Sequence, residues 1–484
     1  MADLELDDIQ GILLSGYGHL PESAYLFLAL DDPARGRSWL GRLANRVTTA
    51  DWRAEGGGRR KPDRGINVAV SAAGLRALGL PPGSLDTFPQ EFVEGMARPP
   101  RPRRLGDTGS SDPGRWEFGG TAAPTADEIH ALLILQAPDR DALDRLCDEH
   151  AGGLHAAGIR EVVLPRHYGR QERGFRDHFG YHDSISQPAI EGSPNRRAAN
   201  RPGVRAGEFV LGYANEYGAL PQGPTVAAAD DPAGLLQPYE QEGDGPQPRD
   251  LGRNGSYLVC RKLAQDVAAF RRFLRDNTPG GTAAGMEHLA AKLMGRWPGG
   301  APLALSPAAD DPALASANDF GYAAEDPNGL LCPMGAHLRR CNPRDQLIGT
   351  AAESQAVTNR HRLIRRGVSY GPRLAEGAFE DDGQARGLLF LAINANIERQ
   401  FEFVQQTWAN SPKFGGAYTD SDPIIGTNFD PGDPGDEGPW TMTIPGLPVR
   451  RRIAAVPRCV TTVGGGYFFL PSVAALRYLA GLGG

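Results

Sequence analysis

The chain is poor in cysteine: Cys147, Cys260, Cys332, Cys341 and Cys459 are its five among 484 residues. An odd number at wide spacing argues against a disulfide scaffold and fits a reducing compartment. Positive charge is not in excess either. The net charge is −7, so broad attraction to nucleic acid or to an anionic membrane surface is not expected. No apolar run is long enough to span a bilayer. The opening residues, MADLELDDIQGILL, are acidic and lack both a basic n-region and a long apolar h-region. They read as no secretory or transit segment, and a cytoplasmic location is the expectation. Two phosphate-binding signatures are also missing: no G-x-G-x-x-G follows a strand, and no G-x-x-x-x-G-K-[ST] occurs. A nucleotide enzyme of either common kind is unsupported.

What is present is a long chain with 40% hydrophobic residues, enough for a substantial core in two or three domains or one interwoven unit. Glycine (63) and proline (40) exceed a fifth of the residues and concentrate in loops at 97–116, 219–255 and 427–440. The basic run 101-RPRR-104 within the first reads as a solvated loop. Between the loops, strand patterns at 24–30, 66–71, 160–167, 387–392 and 465–471 mix with helical patterns at 33–46, 126–150, 263–276, 396–408 and 472–481. The segment 131-ALLILQA-137 reads equally as a buried strand or as part of the helix 126–150. Strands and helices without strict βαβ alternation predict an α+β fold with mainly antiparallel sheets.

Of ten histidines, His337 stands apart, in 329-GLLCPMGAHLRRCNPRD-345. A small-residue approach through Gly335 and Ala336 lets an imidazole come close to something flat and large. Arg339, Arg340 and Arg344 would then neutralise acidic groups at its edge. A haem has this shape, with iron at the centre and two propionates at the rim. No Cys-x-x-Cys-His occurs, so covalent c-type attachment is excluded. On this segment alone, a buried histidine satisfied by a backbone carbonyl is the simpler reading. A metal site from Cys332, His337 and Cys341 is a third reading, though it matches no zinc module. The pair in 364-IRRGVSYGP-372 would send one arginine inward and one to solvent. An inward arginine beside a lone carboxylate suits peroxide cleavage, which needs a proton carrier and a fixed cation. It also suits an ordinary buried salt bridge.

The lone carboxylate is found in 180-GYHDSISQPAIEG-192, where Asp183 follows Gly180 by three residues. Together with 333-PMGAHLRRCNPRD-345, 364-IRRGVSYGP-372 and 401-FEFVQQTWANSPKFGG-416, this stretch resembles the dye-decolourising peroxidases, in their larger, fungal-like branch. The likeness runs nearly end to end, through 7-DDIQGILLSGYGHL-20, 207-GEFVLGYANEYG-218, 254-NGSYLVCRKL-263, 292-KLMGRWPGGAPL-303 and 464-GGGYFFLP-471. It implies two ferredoxin-like halves, residues 1–202 with the distal aspartate and 203–484 with the histidine and distal arginine, and haem b held between them. It implies hydrogen peroxide and a small organic electron donor as reactants. His337 becomes the axial iron ligand, Asp183 the distal acid/base, Arg365 the distal cation, and Leu388 and Phe390 the apolar distal wall. Arg366 then faces away. An acidic residue should accept the second N–H of His337; Asp422 is the first candidate, with Asp420 and Glu402 as rivals. Arg339 and Arg344 become propionate partners. Trp408, Tyr370 and Tyr467 could relay electrons to bulky donors, although core packing explains each.

The chain departs from the family pattern Gly-x-x-Asp-Gly at Ser184, which replaces the second glycine. If that residue needs a positive φ, serine costs about 1 kcal/mol or more. Its hydroxyl could bond to Asp183 or crowd the porphyrin. Ser369 likewise replaces a proline. Ser184 motivates an alternative, a haem enzyme with a specialised oxidative or oxygenating reaction. A non-catalytic haem-binding protein is a further alternative, which Asp183 and Arg365 speak against.

Overall fold

The computed structural model describes the chain except residues 1–2, 53–59, 172–175, 195–202, 240–246, 432, 434, 436–437, 439 and 484. The expected division at 202 lies outside the described residues.

One antiparallel sheet of ten strands organises the molecule. Its N-terminal strands are β1 (Glu22–Leu30), β2 (Gly65–Val70), β3 (Ala131–Ala137), β4 (Ile159–Glu161) and β5 (His167–Arg170). Its C-terminal strands are β6 (Ser256–Gln265), β7 (Ile364–Arg365), β8 (Val368–Tyr370), β9 (Gly387–Asn394) and β10 (Val460–Leu470). Both β4 and β5 pair with β1, and both β7 and β8 pair with β9, so each couple is one interrupted strand. Each half then has the order fourth–first–third–second, that of a ferredoxin-like β-α-β-β-α-β unit. The two sheets are not separate. β10 meets β2 at Phe469 and Val70, and β8 meets β5 at Ser369 and Arg170, which closes the sheet on itself.

Strand periodicity explains the two main cores. β1 reads ESAYLFLAL and is buried along its whole length. Ala24, Leu26, Leu28 and Leu30 pack outward with Trp39, Leu40 and Leu43 of the helix Pro33–Ala44 and with Leu143 and Leu146 of the helix Arg140–Ala151. Tyr25 and Phe27 point the other way, to the enclosed side, where Ile134, Leu258, Leu391 and Phe468 join them. Residues i and i+2 share a face, so one strand serves both cores. Burial on both faces also explains why 131–137 had no readable period. It is strand β3, so the single helix expected over 126–150 becomes a short turn at Ala126–Glu128, a strand and the helix Arg140–Ala151.

The outer face of the C-terminal half is not filled by helices alone. Leu388 and Phe390 point outward from β9, while Leu389 and Leu391 enter the enclosed core. A cavity opens over this face. Its walls include the short helix His337–Cys341 and the loosely wound, π-type helical segment 398–409, with Asp107 and the 177–186 loop from the N-terminal half.

Candidate active site

His337 opens its helix, and Arg340, one turn later, holds the surroundings in place. The Arg340 guanidinium is fully buried and donates to the carbonyls of Gly335, Trp408, Ser411 and Asp420. These bonds tie the His337 segment to the loop that carries Asp422. His337 Nδ1 lies 2.9 Å from Asp422 Oδ2. The other Asp422 oxygen accepts from the amides of Ile424 (2.8 Å) and Ile425 (3.0 Å). Burial alone would neutralise both partners. Their mutual attraction outweighs it, so His337 is held well above and Asp422 below its ordinary pKa. Nε2 of His337 has no partner among the described residues, and the residue lines the cavity. The rivals are engaged elsewhere: Asp420 accepts from Thr441 and the Thr443 amide, and Glu402 from Arg101 and Tyr467.

Asp183 and Arg365 reach the same cavity from other elements. Asp183 Oδ1 accepts the Ser184 amide at 2.5 Å, which orients its carboxylate. Ser184 has φ 66°, in the left-handed region where L side chains are strained. Its hydroxyl makes no hydrogen bond among the described residues, so it does not hold Asp183. The arginine pair splits. Arg366 donates to the carbonyls of Ile12 (2.7 Å) and Leu13 (3.0 Å), and burial pulls its pKa down to about 10. The Arg365 guanidinium lines the cavity without a partner among the described residues. Asp177 shares the wall. Burial pushes its carboxyl up to about 7 against the opposing Tyr181 and Gly180 amides, and the Asp183 charge adds to the rise.

The cavity holds about 290 Å³. Leu263, Leu338, Leu388, Phe390, Val404 and Ile424 give it apolar walls. Arg261, Arg296, Arg362 and Arg458 add cationic groups that the sequence reading missed. Asn342, also in the wall, is 6% exposed, yet among the described residues neither its amide nitrogen nor its oxygen has a partner; Arg296 Nε is likewise unpaired there, while its Nη atoms donate to the Gly300 and Ala317 carbonyls and to Ser186. The stretch 292-KLMGRWPGGAPL-303 was the only signal that could have found Arg296. A second, larger cavity of about 1340 Å³ is also lined by Asp183, Ser184 and Arg365.

Two expected propionate partners lie elsewhere. Arg339 is 1% exposed and is consumed by Asp326, the carbonyl of Cys332 and Gln346. Arg344 donates to the carbonyls of Asn318 and Phe320 and to Asn318 Oδ1, and does not line the cavity. Charge and closeness in sequence to His337 suggested them; Arg339 is turned inward on the helix, and Arg344, in the loop beyond it, is drawn to Asn318 and Phe320. The zinc set read from Cys332, His337 and Cys341 is not assembled as such either. Cys332 is fully buried, and the metal-ligating group among the described residues is His337, Cys341 and Asp422. Of the relay candidates, Trp408 (3%) and Tyr467 (4%) are buried and Tyr370 is half-buried, so none is a ready surface donor site.

Comparison with known proteins agrees with this geometry. No family model matches the chain. A dye-decolorizing peroxidase of Mycena epipterygia is 31% identical over 99% of this chain and 87% of its own length. The dye-decolorizing peroxidase of Auricularia auricula-judae is 30% identical over 98% of this chain and 86% of its own. A crystal structure of the Auricularia DyP-type peroxidase superposes with a TM-score of 0.76 at 27% identity, covering 99% of this chain and all of that one. A dye-decolorizing peroxidase whose heme pocket was engineered for asymmetric sulfoxidation superposes at 0.75, with 26% identity over 99% of this chain. With a carboxylate-backed histidine, a second carboxylate and an unpaired arginine around one cavity, and with this likeness over its whole length, the chain belongs to the dye-decolorizing peroxidase family.

Proposed function

We propose that the protein is a haem b peroxidase that reduces hydrogen peroxide and oxidises small organic donors. The observation that carries this is the convergence of His337, Asp183 and Arg365 on one apolar cavity. The residues present fit a haem. Apolar walls suit the flat ring, and an unpaired, nine-tenths-buried Asn342 with Arg296 beside the same space suits a carboxylate at its rim.

When bound, haem supplies the redox centre that two-electron oxidants charge and one-electron donors discharge. His337 would offer Nε2 to the iron of a bound haem, and Asp422, accepting at Nδ1, would make that nitrogen a stronger donor. Asp183 takes a proton from the near oxygen of peroxide and returns it to the far one. Arg365 places a fixed positive charge against the negative charge that develops as the O–O bond breaks. Leu388 and Phe390 limit water. The Asn342 amide, with Arg296 Nε, would face the acidic rim. Peroxide and small donors enter through the larger cavity that also meets Asp183. The five free cysteines accord with a reducing, cytoplasmic setting.

Ser184 favours a second reading, oxygen transfer to a small metabolite. A strained residue kept beside a reacting group is a functional signature, and a related pocket has been engineered toward sulfoxidation. Incubation of haem-loaded protein with peroxide and either a dye or an aryl sulfide separates the two. Faster dye turnover supports the peroxidase; a sulfoxide formed faster than dye is bleached supports the second reading. Haem titration of His337→Ala tests the ligand: retention of the wild-type spectrum would remove His337 from that role.

A further inference from the structure

The two groups assigned to peroxide come from different halves of the chain, so something must set their spacing. We infer that Gln187 is the positioning residue that does so, an inference that rests on the peroxidase reading above. Gln187 lies four residues after Asp183, at the end of the same loop. Its Nε2 donates to the Arg365 carbonyl at 3.0 Å, and its Oε1 accepts the Arg365 amide at 3.1 Å. Both polar atoms of the side chain are therefore spent on the backbone of one residue.

The need for such a clamp follows from where Arg365 sits. It ends β7, whose only sheet neighbour among the described residues is β9, through the pairing of Arg365 with Ala392. The Arg365 N–H and C=O point away from that neighbour, as on any strand edge. Gln187 stands in for the missing strand and meets both, while the Arg365 carbonyl also accepts from Arg366 Nη1 at 3.1 Å, a bond from the neighbouring residue that does not reach the Asp183 loop. One more bond crosses between the segments: Arg362 Nη2 donates to the Ser186 carbonyl at 3.1 Å. Beyond Cα, the Arg365 guanidinium has no hydrogen-bond or ion-pair partner among the described residues. Its charge is thus positioned from the backbone end, by Gln187, in register with the loop whose other end carries Asp183. Misplacement of a reacting group by about 1 Å costs on the order of a hundredfold in rate.

The test uses haem-loaded protein mixed rapidly with hydrogen peroxide. Gln187→Leu, which removes both bonds, is expected to slow the peroxide step about tenfold to a hundredfold. Oxidation of a one-electron donor by the already charged enzyme should change less than twofold. In an Arg365→Leu background the same substitution should add less than a threefold loss, because Gln187 acts through Arg365. Gln187→Glu keeps the size of the side chain and guards against a folding defect. Its ionised form accepts but cannot donate, so the lost rate should return as pH falls and the carboxyl gains a proton. In the haem-free protein, hydrogen exchange at the Arg365 amide should accelerate in Gln187→Leu. Full additivity with Arg365→Leu, or unchanged exchange at Arg365, overturns the inference. If Arg365→Leu alone leaves the peroxide step untouched, the peroxidase reading falls first. If it slows that step and Gln187→Leu does not, only this inference falls.

Discussion

Replacing Asp422 by asparagine tests the histidine's electronic setting without emptying space. The carboxylate is fully buried and engaged on both oxygens: Oδ1 accepts the Ile424 and Ile425 amides, and Oδ2 meets His337 Nδ1 at 2.9 Å. Asparagine keeps one acceptor. The two amides hold it, so the side-chain NH₂ must turn toward His337. A donor facing a donor is repulsive, and the imidazole answers by moving its proton from Nδ1 to Nε2. Nε2 then has no lone pair for iron. Loss of such a carboxylate partner weakens metal binding or activity by about 10- to 100-fold, on the order of 1.4 to 2.8 kcal/mol. No charge is left stranded, so the protein itself should lose only about 1 to 3 kcal/mol. The assay is haem titration followed in the visible spectrum, with equilibrium unfolding of the haem-free protein alongside. Wild-type haem affinity with a wild-type spectrum in Asp422→Asn would refute the tautomer argument.

Three further outcomes are expected. Ser184→Gly relieves a left-handed serine worth about 1 to 2 kcal/mol, returns about 0.4 to 1 through the freer unfolded chain, and should stabilise by about 0.5 to 1 in urea unfolding; destabilisation would show that the hydroxyl has a role the geometry lacks. Arg339→Met strands the buried Asp326 charge and should cost about 3 to 5 kcal/mol of stability, whereas Arg296→Met should lower haem affinity about tenfold; unfolding and haem titration on both variants check the contrast. His167 is held down to about 4, by burial first and by Lys262 second. The unfolded chain therefore takes that proton first, and stability present above pH 6.5 is lost as pH falls toward 4, approaching about 3 kcal/mol; His167→Leu should flatten this part of the urea-stability profile.

The sequence disclosed most where a single physical pattern dominates. Helical spacing placed the helix Val267–Asp276, and short apolar runs placed β1 and β9 to within a few residues. It faltered at β3, where burial on both faces erases the period, and it could not foresee that two ferredoxin-like sheets would merge through contacts as brief as Ser369 with Arg170. At the site, resemblance pointed to His337, Asp183, Arg365, Leu388 and Phe390, and the fold brings all five to one cavity. Arg339 and Arg344 show the limit. Nearness to His337 along the chain said nothing about which way a guanidinium turns, and Asp326 and Asn318 decided that. Arg296, Asn342 and Gln187 lay inside family-like stretches, but nothing in those stretches singled them out, because their roles depend on which backbone or space they meet.

The central claim is that Asp183 and Arg365 together cleave peroxide on a haem held by His337. Its most direct test is the rate at which haem-loaded protein reacts with one equivalent of hydrogen peroxide, for the wild type, Asp183→Asn and Arg365→Leu. The account expects a fast change in the visible spectrum, slowed by about 10²- to 10⁴-fold when the proton carrier is removed and by about 10²- to 10³-fold when the cation is removed. A haem spectrum indifferent to peroxide, or variants as fast as the wild type, would contradict it and point to a protein that carries haem for another purpose.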